Sequence, residues 1–254
     1  MLRIEKHGGG GPDLVILPGW GSDGHIFHAL LPRLLENFTV HLGYWYKQQG
    51  SIFSERSRLE RLSGLREVIG QQVPQKAHWV GWSLGGLLAV DFADHYPDRC
   101  LSLMTLTFNP CFVQQADWSS AMSCALFNQF TQEFSDAPED TLQRFRALQA
   151  LGARDRRSIL NALQRSAATQ ITHEDQLSLL DLLRLDMRSA ITRITVPQLH
   201  CYGEQDALMP TLQVIQSLRA LGEQVQLKTY ADASHLPFLT QSDSWLHDLI
   251  RWCL

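Results

Sequence analysis

Short aliphatic and β-branched runs bounded by glycine and proline recur through the first hundred residues, at Leu14 to Leu17, Thr39 to Leu42, Ala77 to Gly81 and Leu101 to Phe108. Runs of this length that are apolar at successive positions predict strands buried on both faces of a sheet. Between them apolar residues return at helical spacing, at Phe27 to Leu35, Leu59 to Ile69 and Gly86 to His95, the last closed by Pro97. Strand and helix alternate, which predicts an α/β protein with a doubly wound, mostly parallel sheet.

From about Cys111 the strand pattern stops. Helical periodicity runs instead through Ala121 to Phe134, Leu142 to Leu151, Ile159 to Ala167 and Gln176 to Leu185. Strand character returns at Gln198 to Tyr202 and Val225 to Tyr230, and an amphipathic helix from about Ser242 to Trp252 closes the chain. The pattern predicts a sheet core of residues 1–110 and 190–254, interrupted by a helical cap over 111–189. The run Gly8-Gly9-Gly10-Gly11 is expected to be a plain hairpin turn.

Of the 254 residues, 44% are hydrophobic and 19% charged, a balance that excludes disorder and supplies a sizeable core. A net charge of −4 gives the chain as a whole no electrostatic footprint for nucleic acid or an anionic membrane. No apolar run reaches a membrane span, and Met1 to Lys6 lacks the pattern of a signal peptide, so the expectation is a soluble cytoplasmic protein; a monomer is expected separately from these signals. The five cysteines, Cys100, Cys111, Cys124, Cys201 and Cys253, form no C-x-x-C pair and read as reduced thiols. Neither a metal-binding spacing nor a phosphate loop is present, so no metal and no cofactor is expected.

The strongest chemical signal is Gly81-Trp82-Ser83-Leu84-Gly85, a G-x-S-x-G placed where a strand ends and a helix begins. The letters alone arise by accident in roughly one chain in ten of this length. Their context is what carries weight, because glycines on both sides allow the sharp turn that lifts a serine clear of a sheet. A nucleophilic serine needs a base and an orienting acid, which in such sheets follow on loops after later strands. His235, after Val225 to Tyr230, fits the base, whereas His200 lies inside a strand and His173 and His247 sit on helical patterns. Asp206, after Gln198 to Tyr202, fits the acid; Glu204 is its rival, and Asp232 is close in sequence to His235. The oxyanion amides are expected from Leu84 and from Trp20 in Pro18-Gly19-Trp20-Gly21. Between Thr141 and Ser166 stand Arg144, Arg146, Arg154, Arg156, Arg157 and Arg165 against the single acid Asp155. So basic a stretch in an acidic protein suits carboxylate or phosphate partners.

With these residues in place, the chain resembles the α/β-hydrolase family over nearly its whole length. Within that family it is similar to the esterases of biotin synthesis that act on the methyl ester of pimeloyl acyl-carrier protein. The likeness rests on Leu17-Pro18-Gly19-Trp20-Gly21, on Gly81 to Gly86, and on Asn109-Pro110-Cys111-Phe112 with Asp117-Trp118. It rests also on Arg144-Phe145-Arg146-Ala147-Leu148-Gln149, and on Tyr202-Gly203 ahead of Asp206. The resemblance implies a Ser83, His235 and Asp206 triad and oxyanion amides at Trp20 and Leu84. It also implies substrate contacts along Phe145, Arg146, Ala147, Leu148 and Gln149, and carrier docking by Arg144 and Arg157. Two further basic positions of the family carry Asp140 and Asn161 here, with Arg146, Arg154 and Arg156 able to compensate. Pro18, where many relatives have histidine, and Leu42 to Tyr46, where a glycine-rich loop is common, also depart without removing a catalytic group. From the residues alone three activities stay open: a methyl esterase, a carrier thioesterase or short-chain esterase, and a ligand binder without turnover.

Overall fold

The computed structural model describes residues 2–47, 56–168, 170–222 and 224–254. Among the described residues seven strands form one sheet: β1 (Leu2–Lys6), β2 (Asp13–Leu17), β3 (Thr39–Trp45), β4 (Ala77–Trp82), β5 (Cys100–Leu106), β6 (Gln198–Gly203) and β7 (Val225–Tyr230). Their spatial order is β1-β3-β2-β4-β5-β6-β7, with β1 antiparallel to β3 and all other pairs parallel. Strands β3 and β4 are buried at every position, as continuous apolar runs demand when helices cover both faces of a sheet.

Helices α1 (Leu31–Leu35), α2 (Arg58–Gln72) and α3 (Leu84–His95) connect the first five strands. A capping box starts α2, in which the Ser57 side chain accepts from Glu60 N–H and the Glu60 carboxylate takes Ser57 N–H. Ten of the twelve α3 residues are buried, and Trp79 of β4 stacks on Phe92 of α3 at 4.1 Å between ring centres. Among the described residues five helices lie between β5 and β6: α4 (Cys124–Asp136), α5 (Pro138–Gln149), α6 (Arg156–Arg165), α7 (His173–Leu182) and α8 (Arg188–Arg193). Helices α9 (Thr211–Arg219), α10 (Pro237–Thr240) and α11 (Ser242–Cys253) complete the chain. Buried residues of α4, α5 and α7, among them Phe127, Phe134, Leu142 and Leu179, share one apolar cluster with Trp20 of the loop after β2 and Leu87 of α3. Ile159 and Leu163 of α6 join a second cluster with Phe27 and Trp82. Among the described residues no helix is long and apolar enough to cross a membrane.

Several sequence expectations need correction. The Gly8 to Gly11 run is not a hairpin turn, because β1 pairs with β3 and not with the strand that follows it. The run crosses the start of β3, where a side chain on Gly9 would fall on the Phe38 carbonyl and one on Gly11 on that of Asn37. The helix expected over Phe27 to Leu35 is broken into a 3-10 turn, Gly24–Phe27, and α1. Pro32 explains the break: without an N–H it sits at a helix start and not in an interior. Strand β5 ends at Leu106, not Phe108, because Thr107 turns the backbone to φ 46°. Strand β1 and helices α8 to α10 were not anticipated.

His200 is fully buried in β6, its Nδ1 2.7 Å from Thr105 Oγ1, and burial pushes its pKa down to about 4. An imidazole kept neutral in the fold but free to protonate near 6.5 when unfolded makes the unfolded chain bind more protons below that pH. Stability is therefore expected to fall as pH drops from about 6.5 towards 4, with this group contributing up to ~1.4 kcal/mol per pH unit. Denaturant titrations of wild type and His200→Gln across that range should show a shallower acid limb in the variant; parallel limbs would contradict the assignment.

Candidate active site

Ser83 follows the last residue of β4 and caps α3 with φ 53° and ψ −114°, a conformation that side chains other than glycine adopt at a cost of roughly 1–3 kcal/mol. Its neighbours make the turn possible. A side chain on Gly81 would meet the Gly85 carbonyl, one on Gly85 would meet the Leu17 carbonyl, and one on Gly86 would approach the Phe108 side chain to 2.9 Å. Helix α3 is thereby drawn down onto the ends of β2 and β4, and Ser83 is left 7% exposed at the head of the helix. Leu84 is the first residue of α3, so its N–H has no intrahelical partner.

Asp206 and His235, on the loops after β6 and β7, meet with Nδ1 of the imidazole 2.7 Å from Oδ2 of the carboxylate. Both side chains are almost wholly buried, at 3% and 0% exposure for His235 and Asp206. The other carboxylate oxygen, Oδ1, accepts the Leu208 N–H at 2.9 Å. The loops are held together by Gln205 N–H on the Ala233 carbonyl at 2.9 Å, and Gly203 passes too close to the Ser234 carbonyl to tolerate a side chain. The His235 carbonyl accepts from Trp82 Nε1 and from Thr107 Oγ1, each at 3.0 Å. With Nδ1 occupied, Nε2 of His235 is buried and has no hydrogen-bond partner.

Ser83, His235 and Trp20 line the same cavity, of about 160 Å³. Among the described residues Asn109 is the one other polar residue in a lining otherwise made of apolar side chains from the segment between β5 and α4, from α4, α5 and α7 with its C-cap residue, and from the loop after Asp206. Trp20 donates its indole N–H to the Gln176 carbonyl of α7 at 2.8 Å and stands edge-on to Phe130, Phe134 and Phe145 at 4.9–5.7 Å. Phe145 and Leu148 reach the cavity, whereas Arg146, Ala147 and Gln149 are not part of its lining. Leu126 and Leu148 are both lining and exposed, at 52% and 42%, so the cavity opens between α4 and α5.

The rival residues lie elsewhere. Glu204 and Asp232 are exposed, His200 is inside β6, and His247 is on the outer face of α11. His173 packs against Phe134, with 4.7 Å between ring centres. Arg144, Arg154, Arg156 and Arg157 are exposed, as are Asp140 and Asn161, while Arg146 is half-buried. Arg144 is tied to Glu133 at 2.8 Å. Sequence reasoning did not single out Met122, Phe130 or Leu208 to Pro210 as lining; the first two carry ordinary core chemistry, and the last segment signals only by following Asp206.

A family model described as the alpha/beta hydrolase fold matches residues 12–242. A pimeloyl acyl-carrier-protein methyl ester esterase from Vibrio vulnificus is 32% identical over 251 residues, which is 96% of this chain and 95% of that protein. A protein of the same name from Vibrio cholerae is 30% identical over 259 residues, covering 99% and 98%. Among solved structures, an esterase from Exiguobacterium antarcticum superposes with a TM-score of 0.83 at 19% identity, over 99% of this chain and 95% of that one.

The close approach at Gly85 gives a direct test of the turn. Gly85→Ala is expected to cost at least about 2 kcal/mol, since backbone and not a movable side chain blocks the new methyl group. A thermal melt should then show Tm lower by roughly 4–8 °C.

Proposed function

The chain belongs to the alpha/beta hydrolase fold family, and on that premise we propose that it is a serine carboxylesterase cleaving the methyl ester of pimeloyl acyl-carrier protein to methanol and the free pimeloyl carrier. The observation that carries the chemistry is the buried, unpartnered Nε2 of His235 in the cavity that also contains Ser83. Near-full-length identity to esterases named for that substrate supports the choice of ester.

In this reading Ser83 Oγ attacks the ester carbonyl and His235 Nε2 takes the hydroxyl proton. Asp206, bonded to Nδ1, keeps the imidazole in the tautomer that leaves Nε2 free to accept. The oxyanion is received by the backbone N–H groups of Leu84 and Trp20, the former at the positive end of α3. His235 then returns its proton to the departing methoxide, giving methanol and an acyl-Ser83 ester. Water, deprotonated by the same nitrogen, releases the acid. No step asks for a metal or organic cofactor. The cavity suits this reaction in a second way: a neutral ester sheds water easily on entering an apolar lining, whereas the product carboxylate finds no lining cation and is driven out.

Residues 111–189 act here as a lid over the core of 1–110 and 190–254, and the carrier docks on the lid. Arg144 and Arg157 are the principal docking groups, with Arg154 and Arg156 exposed beside them and Arg146 contributing less because it is half-buried. The arm of the carrier enters between Leu126 and Leu148, and Phe145 and Leu148 contact the acyl chain. The five cysteines are free, which fits a monomer working in the reducing cytoplasm.

The deciding experiment incubates pimeloyl-carrier methyl ester with the protein and follows the mass of the carrier. Loss of the methyl group alone is expected; loss of the whole acyl chain would make the protein a thioesterase, and no change would overturn both.

Ser83→Ala should reduce turnover roughly 10³-fold or more with an unchanged fold. Asp206→Asn and His235→Ala should each cripple it, whereas Glu204→Gln and Asp232→Asn should not, since neither acid reaches the imidazole. A larger loss in either control than in Asp206→Asn would move the acid.

Replacing Arg144 and Arg157 together by Ala should sharply lower kcat/KM for the carrier substrate while sparing a small p-nitrophenyl ester. Wild-type activity on the carrier should also fall with salt, because exposed charges are screened over roughly 10 Å at 0.1 M. Equal losses on both esters would assign the arginines to holding the lid.

A further inference from the structure

The segment joining β5 to α4, residues 107–123, supplies Asn109, Phe112 and Met122 to the cavity wall yet contains no helix and no strand of the sheet. Isolated backbone bridges, Val113 with Met122 and Cys111 with Asp186, hold part of it, and side chains hold the rest. Asn109 is 2% exposed and makes three hydrogen bonds across the segment: Oδ1 accepts Cys111 N–H and Trp118 Nε1–H, each at 3.1 Å, and Nδ2 donates to the Ser120 carbonyl at 2.7 Å. Trp118 is 5% exposed, and the Arg188 guanidinium lies 5.4 Å from its ring centre on the outer side. Arg188 is itself fixed by Asp186 at 2.6 Å and by Asp117, the neighbour of Trp118, at 2.9 Å. Met187 N–H on the Pro110 carbonyl, at 2.7 Å, ties the same two segments again.

We infer that Asn109, Trp118 and Arg188 are positioning residues for the acyl pocket, fixing the wall that carries Phe112 and Met122 and so setting how tightly an acyl chain is held. The inference rests on the reading of this cavity as an acyl site. None of the three bonds to Ser83, His235 or Asp206, so their effect falls on binding of the chain and not on the reacting atoms. The arrangement also accounts for the Asn109 to Phe112 and Asp117-Trp118 motifs. An amide is needed that can accept twice and donate once, an indole is needed that can donate inward, and an acid is needed to aim the arginine at the outer face of the indole.

Trp118→Phe keeps an aromatic ring beneath Arg188 and removes only the N–H; Arg188→Met removes the outer support. KM and kcat are measured for both on p-nitrophenyl acetate and p-nitrophenyl octanoate, well below the melting temperature of each variant. KM for the octanoate is expected to rise about fivefold or more with kcat changed less than about twofold, and octanoate-over-acetate selectivity to fall by a similar factor. A plain stability role would lower Tm and leave that selectivity at its wild-type value, and this outcome would overturn the proposal. So would equal falls in kcat/KM on both esters. If Arg188→Met does not fold, Trp118→Phe carries the test. Methyl octanoate binding to Ser83→Ala protein, with and without Trp118→Phe, measures the wall without turnover. If the esterase reading fails, that arm still returns about fivefold weaker binding where the wall role is right and unchanged binding where it is wrong.

Discussion

The backbone crossing at Gly81, Gly85 and Gly86 is the constraint from which the rest of the site follows. Helix α3 can start one residue beyond β4 only if its first turn rests on the Leu17 carbonyl and on the Phe108 side chain, with no Cβ between. That contact tips Ser83 into a left-handed conformation, which the surrounding packing must maintain against its local cost. The same contact brings the head of α3, with its unpaired N–H groups, to the ends of β2 and β4. Trp20 stands three residues beyond β2, on the loop at that same end of the sheet.

A second constraint is electrostatic. Placing a carboxylate and an imidazole in an apolar interior is costly unless every polar atom that bears charge is met. Asp206 is met twice, by His235 Nδ1 and by the Leu208 N–H, and the His235 backbone is clamped by Trp82 and Thr107. The clamp accompanies the unusual φ of Thr107: the residue just after β5 turns against its own preference and presents its hydroxyl to the His235 carbonyl. Of the side-chain polar atoms of this pair, Nε2 of His235 is the one left without a partner among the described residues, and it is the atom to which the proposed reaction assigns the proton transfer.

These constraints also explain what could be read from the chain. Ser83 was legible because the glycines around it record a steric necessity, and Asp206 and His235 because loops after parallel strands gather at one end of a sheet. Elsewhere glycine misled. Gly9 and Gly11 signalled a turn, but they serve a close crossing over Asn37 and Phe38, and a crossing partner distant in sequence leaves no local trace. Strand β1, reading Leu2-Arg3-Ile4-Glu5-Lys6, is short and alternates as an edge strand does, so it lacks the apolar run by which β2 and β4 were recognised. The cavity wall was least legible. Met122, Phe130 and Leu208 are ordinary core residues by type, and only the path of the chain decides that they face Ser83.

Rigidity and adaptability are accordingly divided between two parts of the chain. Trp20 belongs to the sheet layer, yet its indole is held from the other side by the Gln176 carbonyl of α7 and by aromatic rings of α4 and α5. The residue whose amide is assigned to the oxyanion therefore senses the helices between β5 and β6. Those helices also line the opening and bear the exposed arginines. In the proposed reaction, changes on their outer faces bear on carrier docking and leave Ser83, Asp206 and His235 in place, because these are anchored by contacts of the sheet and its loops. Changes on their inner faces meet Trp20 directly. Under the proposed assignment, the indole ring of Trp20 is where the aromatic lining contributed by α4 and α5 meets the residue whose amide receives the oxyanion.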